Sequence, residues 1–396
     1  MLNRVSITYK LLGLVLGAVL VSSLASGFMA SQQSSEAIIA QQKQSLAGFA
    51  EARANALEDY LSSIQIDLDT VATNPETLLA LEDFQAGWDE LGREQTETLQ
   101  HLYITANPNP LGEKHKLDFA SDGSAYSEAH AKHHQWFREF LEARGYYDIF
   151  LFSLEGDLVY TVFKELDYAT NLRTGEYRAT DLGNAFRNAA SGAAGSVSFF
   201  DFAPYAPSHG APASFISTPL QDANGAFIGV LAFQMPIDRL NHVMGMEAGL
   251  TETGEAYAFG ENGLLRTQAR FAGDGAILNT RVPDSLLAHA LSETDHIAEL
   301  DDYHNVHVIA ATEHLDFHGV RWGIAVTEAL DAAMAPAYRL QWQIAGLALL
   351  SVVIIGGLGL WLARRVARPL QEICAATETI GSGQFDTDVP YQTAQD

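Results

Sequence analysis

Two long segments without charged residues limit what this chain can fold into. They cover residues 11–29 and 344–363, and neither contains Asp, Glu, Lys or Arg over 19 and 20 residues respectively. A helix rises about 1.5 Å per residue, so each segment is long enough to cross a hydrocarbon core of about 30 Å. We therefore predict membrane-spanning helices at residues 11–30 and 343–363.

Basic residues lie just outside both segments and indicate their orientation. They precede the first segment (Arg4 and Lys10) and follow the second (Arg364, Arg365 and Arg368). Because Lys and Arg are enriched on the cytoplasmic side of membrane helices, we expect both chain ends in the cytoplasm and residues 31–340 outside the membrane. A cleaved signal peptide is the alternative for the first segment. Phe28 stands where cleavage after Ala30 would need a small residue, which favours an uncleaved anchor.

The charge of the chain limits its partners. Its net charge is −26, and the excess of acidic residues lies between residues 31 and 340. Such a surface repels nucleic acid and anionic lipid headgroups, so we expect neither as a partner. Cys374 is the only cysteine, which excludes an intrachain disulfide and a CxxC metal site. We expect no cofactor and no metal, and a fold stabilised by its apolar core.

A long helix is predicted over residues 31–73. Its apolar residues alternate between spacings of four and three, which is typical of a helix packed along one face. They are Leu57, Leu61, Ile64, Leu68 and Val71. Asn74-Pro75-Glu76 follows, and it supplies an N-cap, a proline at the first helical position and an acidic residue in the first turn of a second helix.

A helix and a hairpin come next. The helix is predicted over residues 127–144, after a loop rich in Pro, Gly, Asn and Asp. The stretch "YYDIFLFSLEGDLVYTVFK" then reads as two apolar strands joined by the dipeptide EG. A two-residue turn there sets Leu151 opposite Tyr160 and Tyr147 opposite Lys164.

The pattern that follows occurs twice. After a helix near residues 181–190 come the strands "SVSFFDF", "ASFISTPL" and "AFIGVLAFQMP". A second hairpin, "EAYAFG-ENG-LLRTQ", then leads to the strands "HIAEL", "NVHVIAATEHL" and "VRWGIAVTEAL". Both sets end on a strand that runs into a helix. We predict an α+β fold in which the long helix precedes two tandem antiparallel-sheet modules, the first at residues 74–240 and the second at residues 249–335.

This order of elements resembles the double Cache sensor domain of bacterial receptors. The phrases "YYDIFLF…GDLVYTVFKELDYATNL" and "FFDFAPYAPSHGAPASFISTP" are similar in particular to a subgroup found in methyl-accepting chemotaxis proteins. The resemblance covers residues 31 to about 335. It implies two PAS-like (Cache) modules, the first membrane-distal and the second membrane-proximal, in a periplasmic region between two spans.

The segment after the second span resembles part of a HAMP module. Residues spaced four and three apart again indicate a short coiled-coil seam, and they are Val366, Leu370, Ile373, Thr377 and Ile380. The connector-like stretch "GQFDTDV" follows. A generic amphipathic helix is the alternative. We expect residues 364–396 to be a partial HAMP module, with its second helix and a cytoplasmic signalling domain to follow Asp396.

Catalysis and metal binding are both disfavoured by the sequence. Lys164, Glu165 and Asp167 could supply an acid and a base, but no nucleophile elbow, P-loop or H-E-x-x-H pattern is near them, so we do not expect an enzyme. In "HAKHH", His130 and His134 lie one helical turn apart, a spacing that can hold a metal. Without a third ligand fixed by a motif, a solvated helix face is the preferred interpretation.

Ligand binding is the favoured alternative. Aromatic walls with a few charged groups suit a small polar metabolite, because rings exclude water and charges orient the ligand. The expected ligand-binding residues are Trp136, Tyr147, Tyr160, Lys164, Asp167, Asp201, Tyr205 and Gln234. The competing interpretation is that the tyrosines fill the core with their hydroxyl groups at its rim.

The family resemblance bears on the ligand. Amino-acid-binding double Cache receptors carry an R-x-W-Y phrase on a helix, a tyrosine-aspartate pair, and an aspartate on the last strand that binds the ligand ammonium group. Here the helix reads "DLGNAFRNA", and Gln234 stands in the position of the last aspartate. Both departures argue against an α-amino acid. Asp201 and Tyr205 are the nearest candidates for the pair.

The functional prediction is a sensory receptor. We expect a homodimer in the bacterial inner membrane that binds a small molecule in its periplasmic region. The resemblance implies control of the chemotaxis histidine kinase through its coupling protein, by a domain beyond residue 396. The alternatives are the sensor region of a histidine kinase or of a diguanylate or adenylate cyclase, and a binding module that acts through a partner.

Overall fold

The computed structural model describes residues 7–245, 250–292 and 296–362, together with residues 365, 373–375, 377–378 and 381–382. The chain divides into two compact units. One is Lys43–Leu330, and the other combines the described parts of Met1–Gln42 and Asp331–Asp396.

The described residues form helices and strands in the predicted order. The helices are α1 (Ile7–Ala72), α2 (Pro75–Glu90), α3 (Gln95–Gln100), α4 (Ala125–Arg144), α5 (Asp181–Ser191), α6 (Ile237–Met244), α7 (Asp284–Ala290) and α8 (Leu330–Leu362). The strands are β1 (Asp148–Phe152), β2 (Leu158–Thr161), β3 (Ser198–Tyr205), β4 (Ala211–Gln221), β5 (Phe227–Gln234), β6 (Glu255–Gly260), β7 (Ile297–Asp301), β8 (His307–Phe317) and β9 (Val320–Ala329).

Local sequence signals explain how the helices begin and end. The five apolar residues of the α1 stripe are all buried, as predicted. Asn74 Oδ1 accepts a hydrogen bond from the amide of Glu76 at 2.9 Å and caps α2. Ser124 caps α4 in the same way, and Gly145 ends it with φ +78°, a left-handed conformation that glycine adopts without strain. The predicted first span and the predicted helix over residues 31–73 form one helix, since α1 is continuous from Ile7 to Ala72.

The first module contains a five-stranded antiparallel sheet in the order β2-β1-β5-β4-β3. The predicted pair Leu151–Tyr160 is confirmed. Tyr147 and Lys164 lie outside the ladder, because β2 ends at Thr161. Helix α5 packs on one face of the sheet, where Phe186 is fully buried. Helices α2 and α4 pack on the other face.

The second module contains a four-stranded antiparallel sheet in the order β6-β9-β8-β7, with α7 against its core. The predicted turn at the NG dipeptide is present, since Gly263 has φ +75° and donates to Gly260 O at 2.8 Å. The second arm of that hairpin is not a regular strand. The Ala258 amide donates to Thr267 Oγ1. In a regular ladder it would donate to a carbonyl oxygen of the neighbouring strand.

Among the described residues, one helix is long and apolar enough to cross a membrane. It covers Leu330–Trp361, and its most apolar stretch of 18 residues has a mean hydropathy of 2.3. This helix contains most of the predicted second span. The first predicted span lies at the start of α1, where several side chains are outside the description. The partial HAMP module falls mostly on residues outside the described part of the chain.

Candidate ligand-binding site

A cavity of about 370 Å³ lies in the first module, beside the start of β1. Three segments and Tyr147 line it, and the segments are residues 104–114, residues 163–166 and the turn between β3 and β4. The lining residues are Ile104, Leu111, Gly112, Lys114, Tyr147, Phe163, Lys164, Glu165, Leu166, Pro207, Ser208 and His209. A cavity of this size holds a small organic molecule.

Glu165, in the segment 163–166, is hydrogen-bonded both to the β3–β4 turn and to Tyr147, the residue before β1. Its Oε1 accepts a hydrogen bond from the Tyr147 hydroxyl at 2.8 Å, and its Oε2 accepts one from Ser208 Oγ. The Tyr147 ring packs on Phe163 with centroids 4.9 Å apart, and Phe163 stacks on His115 at 5.1 Å. The cavity therefore combines a half-buried carboxylate with an aromatic wall.

Lys164 also lines the cavity, but its ammonium group lies in the interior. The residue has φ +63°, a left-handed conformation that is uncommon for a residue other than glycine. Its Nζ donates to the carbonyl oxygen of Thr161. Three tyrosine rings surround the Nζ, with centroids at 4.7 Å (Tyr160), 5.4 Å (Tyr168) and 5.8 Å (Tyr103). These cation–π contacts stabilise the charge, whereas burial opposes it and lowers the pKa of Lys164 to about 7.

Asp167 is buried close to the cavity. The Tyr205 hydroxyl donates to its Oδ2 at 2.6 Å, while its Oδ1 has no hydrogen-bond partner among the described residues. Burial raises the pKa of Asp167 to about 7, because a buried charge is poorly solvated. Of the predicted site residues, Tyr205 and Asp167 thus form one hydrogen-bonded pair.

Asp148 and Gln234 face each other where β1 begins and β5 ends. Asp148 accepts hydrogen bonds from three amides, those of Ile149, Val162 and Phe163, and from the hydroxyl of Thr161. Burial raises the pKa of Asp148 to about 8, and these donors oppose the rise. Gln234 Oε1 is buried without a partner among the described residues.

Asp201 lies apart from the other predicted site residues. The register between β3 and β4 shifts after Phe200, and the Asp201 carboxylate is bound by groups of the second module. Arg266 Nη2 donates to its Oδ2 at 2.7 Å, and Trp322 Nε1 donates to its Oδ1 at 2.9 Å. Asp201 and Tyr205, the nearest candidates for the tyrosine-aspartate pair, therefore have different partners, since the Tyr205 hydroxyl donates to Asp167.

Trp136 and the histidines lie on α4 and pack inside the first module. Trp136 is half-buried and stacks on Phe140 at 5.8 Å, away from the residues that line the cavity. The expected solvated face is wrong, because His130, His133 and His134 are all fully buried. They lie between α4 and neighbouring segments that cover them, and burial lowers the pKa of both His130 and His134.

Hydrogen bonds satisfy the rings of His133 and His134, whereas His130 Nε2 is buried without a partner among the described residues. His133 lies 2.7 Å from a carboxylate oxygen of Glu76 and from one of Asp83. His134 Nε2 donates to the carbonyl of His115 at 2.7 Å, so its Nδ1 accepts from the Tyr160 hydroxyl. These contacts give His133 and His134 a structural role in the packing of α4.

Several residues of the site were not predicted. Asp148 and Tyr103 were missed, as were Ser208 and the loop before α4. Glu165 lies in the stretch from Lys164 to Asp167 that was expected to line a ligand pocket, but it was not itself among the expected ligand-binding residues. A signal existed for Asp148, since an acidic residue stood at the start of an apolar strand. The loop carried no such signal, because its position over the cavity depends on contacts distant in sequence.

A comparison with protein families agrees with this architecture. The Cache domain family dCache_1 matches residues 30–337. No curated protein matches the chain in sequence. Among solved structures, the ligand-binding domain of the amino acid chemoreceptor PctB of Pseudomonas aeruginosa PAO1, in complex with L-Arg, is 13% identical. That alignment covers 74% of this chain and 97% of the PctB domain chain, with a TM-score of 0.44.

Two further chemoreceptor domains are similar at the same level. The ligand-binding domain of Pseudomonas fluorescens CtaA, in complex with L-alanine, is 13% identical over 74% of this chain and 100% of that one, with a TM-score of 0.42. The domain of Pseudomonas aeruginosa PctC, in complex with GABA, is 14% identical over 64% of this chain and 100% of that one, with a TM-score of 0.36. Because the family match covers most of the chain, this protein belongs to the dCache_1 family of Cache domains, which are extracellular ligand-binding sensor domains.

Proposed function

We propose that this chain is the sensory region of a homodimeric chemoreceptor in the bacterial inner membrane, and that it binds a small polar molecule in the cavity beside Glu165. The cavity is the observation that carries the proposal. Its carboxylate is held by Tyr147 and Ser208, which come from separate segments of the chain. A ligand that engages Glu165 would therefore change how the β3–β4 turn and the start of β1 are held together.

The chemistry of the cavity defines the ligand class. Glu165 accepts hydrogen bonds, so the ligand needs a hydroxyl or amine donor. Tyr147 and Phe163 offer an aromatic surface for its carbon skeleton. Lys114 also lines the cavity, although its Nζ donates to the carbonyl oxygen of Asn109 at 2.6 Å. The missing R-x-W-Y phrase and Gln234 argue against an α-amino acid.

Signal transmission needs two arrangements of the receptor that differ in ligand affinity. The contact of Asp201 with Arg266 and Trp322 links the sheet of the first module to the second module. We propose that a ligand-dependent change in the first module passes through this contact to the second module, and then through two membrane spans and the HAMP segment. A chemotaxis signalling domain beyond residue 396, acting on a histidine kinase through its coupling protein, is the proposed output.

An enzymatic output is the second candidate, because the same sensor region can precede a histidine kinase or a nucleotide cyclase. The mass of the native protein, with peptide sequencing beyond Asp396, separates these outputs. Heptads with Glu- and Gln-rich stretches would support a chemoreceptor, whereas a kinase or cyclase motif would replace it.

The binding proposal is tested with the full chain in lipid nanodiscs. Small polar metabolites are screened for an increase in the thermal unfolding temperature, which bound ligand raises by mass action. We expect a hit whose effect is lost in Glu165→Gln. Glu155→Gln, in the exposed β1–β2 turn, is the matched control and should respond like wild type. A hit that stabilises Glu165→Gln as much as wild type would place the ligand elsewhere.

A further inference from the structure

Three side chains with metal-ligating groups lie together at one end of the second sheet. Glu255 is the first residue of β6, and Asp302 and His304 lie in the turn between β7 and β8. Strands β6 and β8 begin at the end of the sheet where β9 finishes, so the turn and Glu255 share that end. One donor atom of each side chain lies within 4.8 Å of a donor atom of the other two.

One oxygen of the Glu255 carboxylate is held by hydrogen bonds, and the other has no hydrogen-bond partner among the described residues. Its Oε2 accepts hydrogen bonds from the Tyr303 hydroxyl at 2.9 Å and from the Phe271 amide at 3.3 Å. Its Oε1 is buried and has no hydrogen-bond partner in the described part of the chain. Glu255 is only 2% exposed. A buried carboxylate oxygen without a partner is costly, and a bound cation would remove that cost.

Hydrogen bonds to backbone groups hold Asp302 and His304 in place. Asp302 Oδ1 accepts from the amides of His304 at 2.7 Å and Val306 at 2.9 Å, which leaves Oδ2 for another partner. His304 Nε2 lies 2.9 Å from the carbonyl oxygen of Phe271. A carbonyl only accepts, so Nε2 carries the hydrogen. In the neutral ring, Nδ1 then holds the lone pair.

The position of that lone pair favours a metal over a simple ion pair. Nδ1 of His304 lies 3.6 Å from Asp302 Oδ2, which is too long for an N–H···O hydrogen bond. Histidines that bind metals usually donate their other N–H to a carbonyl or carboxylate, which orients the ring. The bond from His304 to Phe271 O has this form.

We propose that Glu255, Asp302 and His304 form a binding site for a divalent transition-metal ion in the second module, and that Zn²⁺ fits it. Two carboxylate oxygens and one imidazole nitrogen suit Zn²⁺ better than Ca²⁺ or Mg²⁺, which take mainly oxygen ligands. Zinc bonds of about 2.0–2.2 Å require the donor atoms to approach one another by roughly 1 Å. His304 is exposed and lies in a turn, so its ring can make this movement.

Three protein ligands leave at least one coordination position on the ion for water or a second ligand. The site lies in a different module from the cavity beside Glu165. The metal-site proposal therefore does not depend on the ligand-binding proposal, and an experiment can overturn either one without the other.

Metal content of the full chain, purified in detergent without a histidine tag, tests the site. The protein is dialysed against ZnCl₂ and then against metal-free buffer, and zinc is measured by atomic emission. We expect one Zn²⁺ per chain, with the affinity at least about tenfold weaker in Glu255→Gln and in His304→Gln. His307→Gln is the matched control, because His307 is an exposed histidine three residues away whose Nδ1 pairs with Asp301.

Folding of the variants is checked by circular dichroism. Glu255→Gln keeps an oxygen that can accept from Tyr303 and Phe271, so it should fold. Co²⁺ provides a second readout, since its visible absorption bands report the ligand set and should weaken in Asp302→Asn. Folded wild-type protein that retains no Zn²⁺, or zinc content equal in wild type, Glu255→Gln and His304→Gln, would overturn the proposal.

Discussion

Asp201 and Arg266 form a two-point ion pair that connects the two modules. Arg266 Nε lies 2.9 Å from Asp201 Oδ2 and 3.0 Å from Oδ1, and Nη2 lies 2.7 Å from Oδ2. Arg266 is buried, so its charge depends on this carboxylate for compensation. The same carboxylate accepts from the Trp322 indole. One side chain of β3 therefore holds an arginine and a tryptophan that are far apart in sequence.

Removing this carboxylate should destabilise the protein. In Asp201→Ala, Arg266 is left as a buried charge without its partner, and the expected loss in the free energy of unfolding is about 3 kcal/mol. Chemical denaturation of the full chain measures the loss. Asp316→Ala is the control. The Asp316–Arg321 pair lies in the second module, is more exposed, and should contribute under about 1 kcal/mol to the free energy of unfolding. Equal losses in the two variants would contradict the structural role of Asp201.

Asp167 should make the stability depend on pH in the acidic range. Its folded pKa of about 7 lies above its value in the unfolded chain, so between about pH 4 and pH 7 the folded state holds a proton that the unfolded state has released. Stability therefore falls as the pH rises through this range. Asp167→Asn cannot release a proton, so it should gain stability over wild type by on the order of 2–4 kcal/mol between pH 4 and pH 7.

Thermal unfolding of Asp167→Asn and wild type at a series of pH values measures this difference. The gain should stop above pH 7, where wild-type Asp167 is ionised in both states. Asp284→Asn, at an exposed position, should track wild type throughout. A constant difference between Asp167→Asn and wild type would show that Asp167 does not titrate in this range.

Lys164 should make the stability depend on pH in the opposite direction, in the basic range. Its folded pKa of about 7 lies below its value in the unfolded chain, so between pH 7 and about pH 10.5 only the unfolded state holds the proton. Stability of wild type should therefore rise with pH across this range. Lys164→Met keeps an apolar side chain among the tyrosine rings and should lose the rise.

The comparison uses chemical denaturation at pH 7 and pH 9.5. Lys116→Met is the control for lysine removal, since Lys116 is exposed and pairs with nearby Glu113. It should keep the wild-type pH dependence. If Lys164→Met also keeps it, the lysine is charged in the folded state throughout, and the cation–π contacts outweigh the effect of burial.

Gly87 should be intolerant of a side chain. A Cβ atom at this position of α2 would lie 2.6 Å from the backbone of Tyr126 in α4, so the two helices could not approach as they do. Gly87→Ala should cost about 1–3 kcal/mol through overpacking. Gly48→Ala in α1 is the control: its Cβ would meet no atom within 4 Å, and the higher helix propensity of alanine should stabilise the protein by up to about 1 kcal/mol. Urea denaturation of both variants gives the comparison.

Local patterns in the sequence determined the elements of the fold. The spacing of apolar residues along α1, the cap at Asn74 and the tandem strand patterns each depend on neighbours within a few residues. Their physical causes, helix periodicity and strand alternation, act locally, so they could be read without tertiary contacts. The pairing of Leu151 with Tyr160 followed from the turn between two strands.

Only the tertiary structure decided which polar side chains are buried and what they contact. The sequence suggested Asp201 and Tyr205 as candidates for one ligand-binding pair, but only the fold shows that the Asp201 carboxylate binds Arg266, 65 residues away, and that Tyr205 binds Asp167. The histidines of α4 were expected in solvent, yet neighbouring segments cover them. Burial and long-range hydrogen bonding depend on how elements pack, and that packing is a property of the whole module. A short stretch of sequence therefore shows that Glu165 is charged, but only the fold brings Tyr147 and Ser208 to it.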